Sequence, residues 1–552
     1  MLRLHPSAID YAILAVYFVV VLGIGFVARL TIKTDVDFFL SGRSLPAWIT
    51  GLAFIAANLG ALEILGQSAN GAQYGVAAVH YYWIGAVPAM VFLGIVMMPF
   101  YYGSKVRSVP EYLRRRFGDA AHIFNAVTFA IATILLAGVN LYALALILHL
   151  LIGWSIPVAV LVAAAILLGY VTLGGLTSAI YNEVLQFFVI VASLLPLTIV
   201  ALHAIGGLHG IQEGIKHTKL GNAGLHAWRG LGIHHVTNPL QSDWIGVVFG
   251  LGFVISFGYW TTNFAEVQRA MSARNVSAAR RTPLIGAFPK TFIPFIITLP
   301  GLLGVLLVKG LGVGKAVSTQ YNTAIPHLMA MYFPEGILGL ALAGLMAAFM
   351  AGVAANVTAF NTVLTYDVVQ AYLIKDRDER FYLTAGRLIT IGGILLSILT
   401  AFIAEGYSNM MNYIQQLFSI FNVPLFTTFI VALFWRRATA WGGFWSLVAG
   451  TATAYAVNRL GAYKVLFHFG SQLAGSFWQS ICAFIVGTIV LVVVSLVTKP
   501  KPQEELQGLV WGLTADEREE RPDPRDRLWW RSPALLAGVL IAMLIALNII
   551  FA

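Results

Sequence analysis

Asn58-Leu59-Gly60-Ala61-Leu62-Glu63 places an amide, a pair of small residues and a carboxylate inside an otherwise apolar run that opens at Gly51. An amide supplies donors and acceptors together, and a carboxylate supplies acceptors alone, so this group is equipped to hold hydroxyls or a cation. Polar groups at membrane depth are costly unless they face a cavity, and a helix broken near the midplane is how many secondary transporters expose backbone to a solute. The alternative is a kinked helix packed on its neighbours through Gly60 and Ala61. Other apolar stretches carry similar groups. Ser256, Tyr259, Trp260, Thr261, Thr262 and Asn263 follow Gly252 and Gly258, a density that points to a second broken helix. Lys290 follows Pro289, and Asn412, Tyr413, Gln415 and Gln416 crowd into one turn. Lys290 either snorkels to an interface, pairs with a carboxylate or donates to a substrate hydroxyl. Tyr181-Asn182-Glu183 opens a further stretch, with Glu183 either interfacial or the acid of an ion path.

The elements that must position these groups are apolar helices. The chain has 552 residues, 59% of them hydrophobic and only 11% charged, with a mean hydropathy of +0.81. Runs of about 20 apolar residues recur throughout, which defines an all-α polytopic membrane protein. The reading gives about fourteen transmembrane helices, centred in 8–28, 46–67, 75–102, 121–152, 155–173, 182–204, 243–268, 286–308, 336–370, 386–405, 410–435, 440–458, 474–498 and 533–551. The stretches 121–152 and 336–370 exceed one bilayer thickness and must tilt, kink or protrude. Ala8–Ala28 is long enough to span and ends at Arg29 without a small-residue cleavage site, so no cleaved signal is expected. The single Cys482 allows no disulfide within one chain.

The net charge of +10 is a matter of topology and not of a nucleic-acid partner. With the N-terminus outside, six of the cytoplasmic loops carry 25 of the 34 Lys and Arg residues. That asymmetry is the positive-inside signature of a multi-pass protein of the plasma (inner) membrane. Residues 206–242 form a Gly- and His-rich outer loop in which His234-His235 lacks any recognisable metal-ligand spacing. Residues 499–531 are Pro-rich and charged, as a solvated cytoplasmic linker would be. There is no P-loop, zinc motif or nucleophile elbow, so no enzyme and no organic cofactor is expected. Scattered polar residues in two broken helices do not line a continuous channel. The 54 residues after 498 leave little room for the signalling domain of a sensor.

At this point the chain resembles the sodium/solute symporter family, in its sodium/glucose cotransporter branch, over about residues 8–498. The motifs that carry the resemblance are Asp37-Phe-Phe-Leu-Ser-Gly-Arg-Ser44, Ser108-Val-Pro-Glu-Tyr-Leu-Arg-Arg-Arg-Phe-Gly118, and Tyr170-Val-Thr-Leu-Gly-Gly-Leu176 with Leu185-Gln186 after it. Tyr259-Trp260 with Val267-Gln-Arg269, then Phe434-Trp-Arg-Arg437 and Gly442-Gly-Phe-Trp445, complete the set. The resemblance implies a LeuT-type fold of two five-helix inverted repeats whose first helices are unwound around the solute. The expected organisation is a first helix and cytoplasmic loop (1–45), one repeat (46–205), the outer loop (206–242) and the second repeat (243–438). Two peripheral helices (439–498), the linker (499–531) and a last helix (532–552) follow.

Carried over by resemblance, Asn58, Lys290 and Gln415 match residues that hydrogen-bond sugar hydroxyls. Ser256 replaces a Thr, Tyr259 matches an aromatic that stacks on the sugar and gates the inner path, and Trp260 adjoins it. Glu63 stands where the family has His or Gln, and Tyr82 where it has a Glu beside the matching Trp83. The implied solute is a sugar or cyclitol, with amino-acid or carboxylate symport as the alternative. The sodium of the family would be held by the carbonyls of Ala56 and Leu59, with Ala348 nearby, and by two serine hydroxyls that here are Ala351 and Gly352. A hard cation wants several oxygens, and two of five are gone. The resemblance favours sodium as the coupling ion, bound with water, Asn356 or Thr358 substituting; the alternative is a proton coupled through Glu63 or Glu183. Uncoupled transport is the third outcome.

Overall fold

A computed structural model describes residues 6–29, 44–104, 109–171, 176–313, 316–462, 469–513 and 528–552. The Asp37–Arg43 motif, Ser108, residues 172–175 and most of the charged linker lie outside the described residues.

The helices are α1 (Ala8–Arg29), α2 (Ala47–Asn58), α3 (Leu62–Val79), α4 (Tyr81–Gly103), α5 (Val109–Phe117), α6 (Asp119–Ile152), α7 (Ile156–Val171), α8 (Leu176–Ala204) and α9 (Gly207–Lys216). They continue as α10 (Gly246–Thr262), α11 (Phe264–Met271), α12 (Val276–Leu307), α13 (Ala324–Tyr332), α14 (Ile337–Leu373), α15 (Glu379–Glu405), α16 (Met410–Phe434), α17 (Ala440–Ala462), α18 (Gln472–Val497) and α19 (Pro533–Ile550). Among the described residues, nine helices are long and apolar enough to cross a membrane, or ten if the bent α2–α3 pair is one span. Large apolar side chains such as Leu161, Leu399 and Val493 stand on the outer surface, where lipid tails would solvate them.

Both expected breaks are present. The chain bends by 58° between α2 and α3. The helix resumes at Leu62 and runs on to Val79, so the next span opens at Tyr81 rather than near 75. The second break is a single extended residue, Asn263, with ψ at 109°, between α10 and α11. Helix α12 begins ten residues before the expected 286, because Asn275 caps it by accepting from the Ala278 amide at 2.7 Å. The outer loop is more ordered than its composition implies. It contains α9, and its Ala227 amide donates to the Phe551 carbonyl at 2.8 Å, seating the end of α19. His234 and His235 are exposed, and among the described residues no group of three His, Cys, Asp or Glu gathers as metal ligands.

Several sequence motifs turn out to be partners. Arg116 donates through Nη2 to the carbonyls of Trp435 and Arg436, at 3.2 Å each, tying α5 to the end of α16. Arg269 of α11 forms a bidentate ion pair with Glu183 of α8, one arm being Nε to Oε2 at 2.9 Å. Just before α2, Leu45 bridges to Ala273 after α11, so the segments flanking the two breaks are joined backbone to backbone.

Candidate functional site

Helix α2 is fastened to α12 below the break by the Thr50 and Thr282 hydroxyls, which sit 2.6 Å apart. This sets Asn58 and Glu63, on either side of the break, opposite Lys290 of α12. Pro289 precedes that lysine and removes one backbone donor from the helix, as do Pro283 and Pro294. Four neighbouring stretches are wound as π-helix: Leu62–Gly66, Tyr81–Ala86, Gly246–Ser256 and Phe418–Asn422. A π-turn inserts a residue into the helical register and re-aims the side chains after it, which is why such turns gather at functional sites. Glu63, Tyr82, Ser256 and Phe418 are all carried on these turns.

Together these elements enclose a cavity of about 60 Å³, room for a few water molecules. All eight sequence-predicted solute residues line it: Asn58, Glu63, Tyr82, Ser256, Tyr259, Trp260, Lys290 and Gln415, joined by Gln67 and Met411. Lys290 is 1% exposed and donates to Glu63 Oε1 at 2.6 Å and to Asn58 Oδ1 at 2.5 Å. Its ammonium also lies 5.1 Å from the Tyr82 ring centre and 5.4 Å from that of Trp260. Of the three alternatives the sequence left for Lys290, the carboxylate pair is therefore present and the snorkel is not. Gln415 is left with unspent capacity. Its Nε2 reaches only the sulfur of Met411 at 3.3 Å, and its buried Oε1 has no hydrogen-bond partner. Ser256 instead gives its hydroxyl to the Leu251 carbonyl of its own helix at 2.8 Å.

Tyr259 forms the floor. Its ring packs against Phe418 at 5.0 Å between centres, and both rings also line a second cavity that holds Asn125, Asn263 and Asn356. Its hydroxyl accepts from Asn58 Nδ2 at 3.0 Å and donates to Glu266 Oε1 at 2.9 Å. The residue that separates the two cavities is thus held by polar contacts on both sides.

The cation position inferred by resemblance is built differently. Ala56, Leu59 and Ala348 are all buried, but the Ala56 carbonyl already accepts from the Leu59 amide at 3.0 Å. Ala351 and Gly352 offer no hydroxyl. The space next to Gly352 is taken by Asn140 of α6: a Cβ at residue 352 would lie 2.3 Å from Asn140 Oδ1, and one at Gly60 would lie 3.1 Å from it. That amide oxygen accepts from the Ala61 N–H at 3.1 Å, and Asn140 Nδ2 donates to the Leu136 carbonyl at 3.0 Å. Asn140 thereby satisfies a backbone donor that the helix break exposes. Neither proposed substitute supplies the missing oxygens. Asn356 donates to the Gly352 carbonyl at 2.8 Å, and Thr358 is on an exposed face. These residues do not fit a five-oxygen sodium site. Glu183 is not there either; it is occupied by Arg269.

Sequence reasoning missed three residues. Asn140 was visible as an amide in the middle of an apolar span, the same signal that singled out Asn58. Gln67 lies four residues after Glu63, one helical turn on, and its amide in an apolar run is the same signal. Glu266 lies inside the Tyr259–Arg269 stretch, just beyond the polar turn at Asn263, and its only signal is a carboxylate three residues before Arg269.

A sequence model of the sodium:solute symporter family matches residues 38–450. Sodium/glucose cotransporter 4 of Danio rerio is 28% identical, covering 96% of this chain and 84% of its own length. A sodium/mannose cotransporter of Bos taurus is also 28% identical, covering 99% and 96%. The solved structure of a Na+-coupled sialic acid symporter in a substrate-bound, outward-open state superposes with a TM-score of 0.72 at 19% identity, over 90% of this chain and 99% of that one. With a family match across most of the chain and the same fold in a solved transporter, the protein belongs to the sodium:solute symporter family.

Proposed function

We propose that this chain is a cation-coupled secondary transporter that imports a sugar or cyclitol across the plasma membrane. The observation that carries the proposal is the cavity itself. It presents an ammonium, a carboxylate, two amides and a free amide oxygen at Gln415 between the rings of Tyr82, Tyr259 and Trp260. Hydroxyl groups both donate and accept, so a polyhydroxylated ring matches a wall of mixed donors and acceptors, while its apolar faces suit aromatic neighbours. The Lys290–Glu63 pair is a strong orienting element because charged partners roughly double a hydrogen bond. The relatives named for glucose and mannose transport support the same class of solute.

On this reading about fourteen helices form two inverted five-helix repeats over 46–205 and 243–438, with the N-terminus outside. Transport is a rocking of one bundle against the other around the cavity, with Tyr259 and Phe418 closing the inner side. The test is uptake of labelled glucose, mannose and myo-inositol into proteoliposomes by the wild type and by Lys290→Met. Uptake of at least one by the wild type, lost in the variant while the protein still inserts, is the expected result. Equal uptake by both would remove the solute site from this cavity.

A further inference from the structure

Among the described residues, three acids lie buried around the cavity and the second helix break, and only two of them form an ion pair. Glu63 is paired with Lys290, and Glu183 is paired with Arg269. Glu266, on α11 and 4% exposed, accepts one hydrogen bond from the Tyr259 hydroxyl through Oε1, and its Oε2 has no partner at all. With all five groups ionised the cluster carries one net negative charge. An uncompensated carboxylate out of water is relieved most simply by taking up a proton.

Among the described residues, Glu266 forms no ion pair. The groups that act on it are Arg269 from its own helix, Glu183 of α8, Lys290 of α12 and Tyr259 of α10. Arg269 and Lys290 are already committed to the other two acids. Arg280 and Arg281 are the remaining cations of α12, and Arg281 donates to the Ser277 carbonyl at 3.2 Å. Helices α2 and α14 pack on α11 and carry no titratable side chain over Ala47–Asn58 and Ile337–Thr362. The nearby Tyr101 and Tyr102 of α4 give their hydroxyls to the carbonyls of Thr261 and Ala273 at 2.6 Å each.

Glu266 is also wired to the solute cavity. From Oε1 the chain of contacts runs through the Tyr259 hydroxyl at 2.9 Å to Asn58 at 3.0 Å, then to Lys290 at 2.5 Å and Glu63 at 2.6 Å. While Glu266 is ionised, it holds the Tyr259 hydroxyl by a charge-assisted bond. One proton added at Oε2 makes an O–H bond, cancels the net charge and weakens that hold on the residue dividing the two cavities. The proton leaves to the opposite side when the cavity reopens there.

We propose that Glu266 is the coupling-ion site of this transporter, binding one proton that crosses with the solute, and that Tyr259 conveys its charge state to the cavity. This rests on the transport reading above. A second, independent observation agrees with it: the two residues that match the family's sodium-ligating serines, Ala351 and Gly352, carry no hydroxyl, and the Asn140 carboxamide takes the space beside Gly352.

The experiment uses the full chain in proteoliposomes with labelled glucose, mannose and myo-inositol, comparing wild type, Glu266→Gln and Glu266→Asp. Solute counterflow without any ion gradient is measured first, then accumulation under an inward proton gradient and under an inward sodium gradient at equal pH. The wild type is expected to show counterflow, to accumulate solute on the proton gradient, and to lose that accumulation with a protonophore. Glu266→Gln loses proton-driven accumulation, and Glu266→Asp keeps it. Sodium-driven accumulation by the wild type overturns the inference whether or not the variants fold, as does proton-driven accumulation by Glu266→Gln. Wild-type protein that shows no counterflow of any of the three solutes overturns the transport reading itself, and this inference falls with it.

Discussion

At the first helix break, between Asn58 and Leu62, the groups that meet the exposed backbone are neutral: Asn140 supplies an amide oxygen to Ala61, and Gly352 and Ala351 supply nothing. At the second break, around Asn263, the neighbouring groups are ionisable, with Glu183, Glu266 and Arg269 within one cluster. Each break leaves backbone groups that a continuous helix would have paired internally. At the first break Asn140 satisfies one of them with no net charge and no group that titrates. At the second break the Tyr101 hydroxyl donates to the Thr261 carbonyl, and the cluster beside it keeps a carboxylate oxygen of Glu266 without a partner. The proposed coupling site accordingly lies at the second break, where one carboxylate oxygen has no partner.

The strongest way to break this contrast is at Arg269. Arg269→Met strands Glu183 beside Glu266, and losing one partner of a buried ion pair costs about 3–5 kcal/mol. The melting temperature of the purified protein should fall steeply and recover in part in Arg269→Met/Glu183→Met. A single variant as stable as wild type would mean that the second cluster is not the charged structure described. Lys290→Met should behave similarly, stranding Glu63 at a cost of about 3–5 kcal/mol. Adding Glu63→Leu should restore stability but not uptake, which separates the structural role of the pair from its role toward solute.

A smaller effect sharpens the other side of the contrast. Gly352→Ser forces a side chain against Asn140, and overpacking of this kind costs about 1–3 kcal/mol. Asn140→Ala should relieve it, and the triple variant with Ala351→Ser should show sodium stimulation of uptake above that of the wild type. Thermal stability of the double variant no better than that of Gly352→Ser would show that Asn140 does not fill the position. The smallest effect is expected at Gln415. Gln415→Ala removes about 0.5–1.5 kcal/mol of hydrogen bonding to solute, which should appear as a several-fold rise in KM with the maximal rate retained. An unchanged KM would place Gln415 outside the contact surface.

Much of this was legible in the residues. The 58° bend lies where Gly60 and Ala61 follow Asn58, because a polar residue and a small pair inside an apolar run mark the place where a helix can open. The eight candidate solute residues converge on one cavity although they come from five stretches of chain. Less legible was the register. The π-turns at Leu62 and Tyr81 and the early start of α12 at Val276 depend on how neighbouring helices pack, which no single apolar run records.

The side chains by themselves determined which groups could carry charge or share hydrogen bonds, and composition alone determined that they sit among helices in a membrane. What each group does was decided by which partner the fold brings within about 3 Å. Lys290 meets Glu63 from 227 residues away, Glu183 is claimed by Arg269 from 86, and Glu266 is left with a tyrosine. A buried charge is stable or reactive according to that pairing, because in a low-dielectric interior its neighbours replace water. Sequence names the ionisable groups; only the packed helices determine which one is left over.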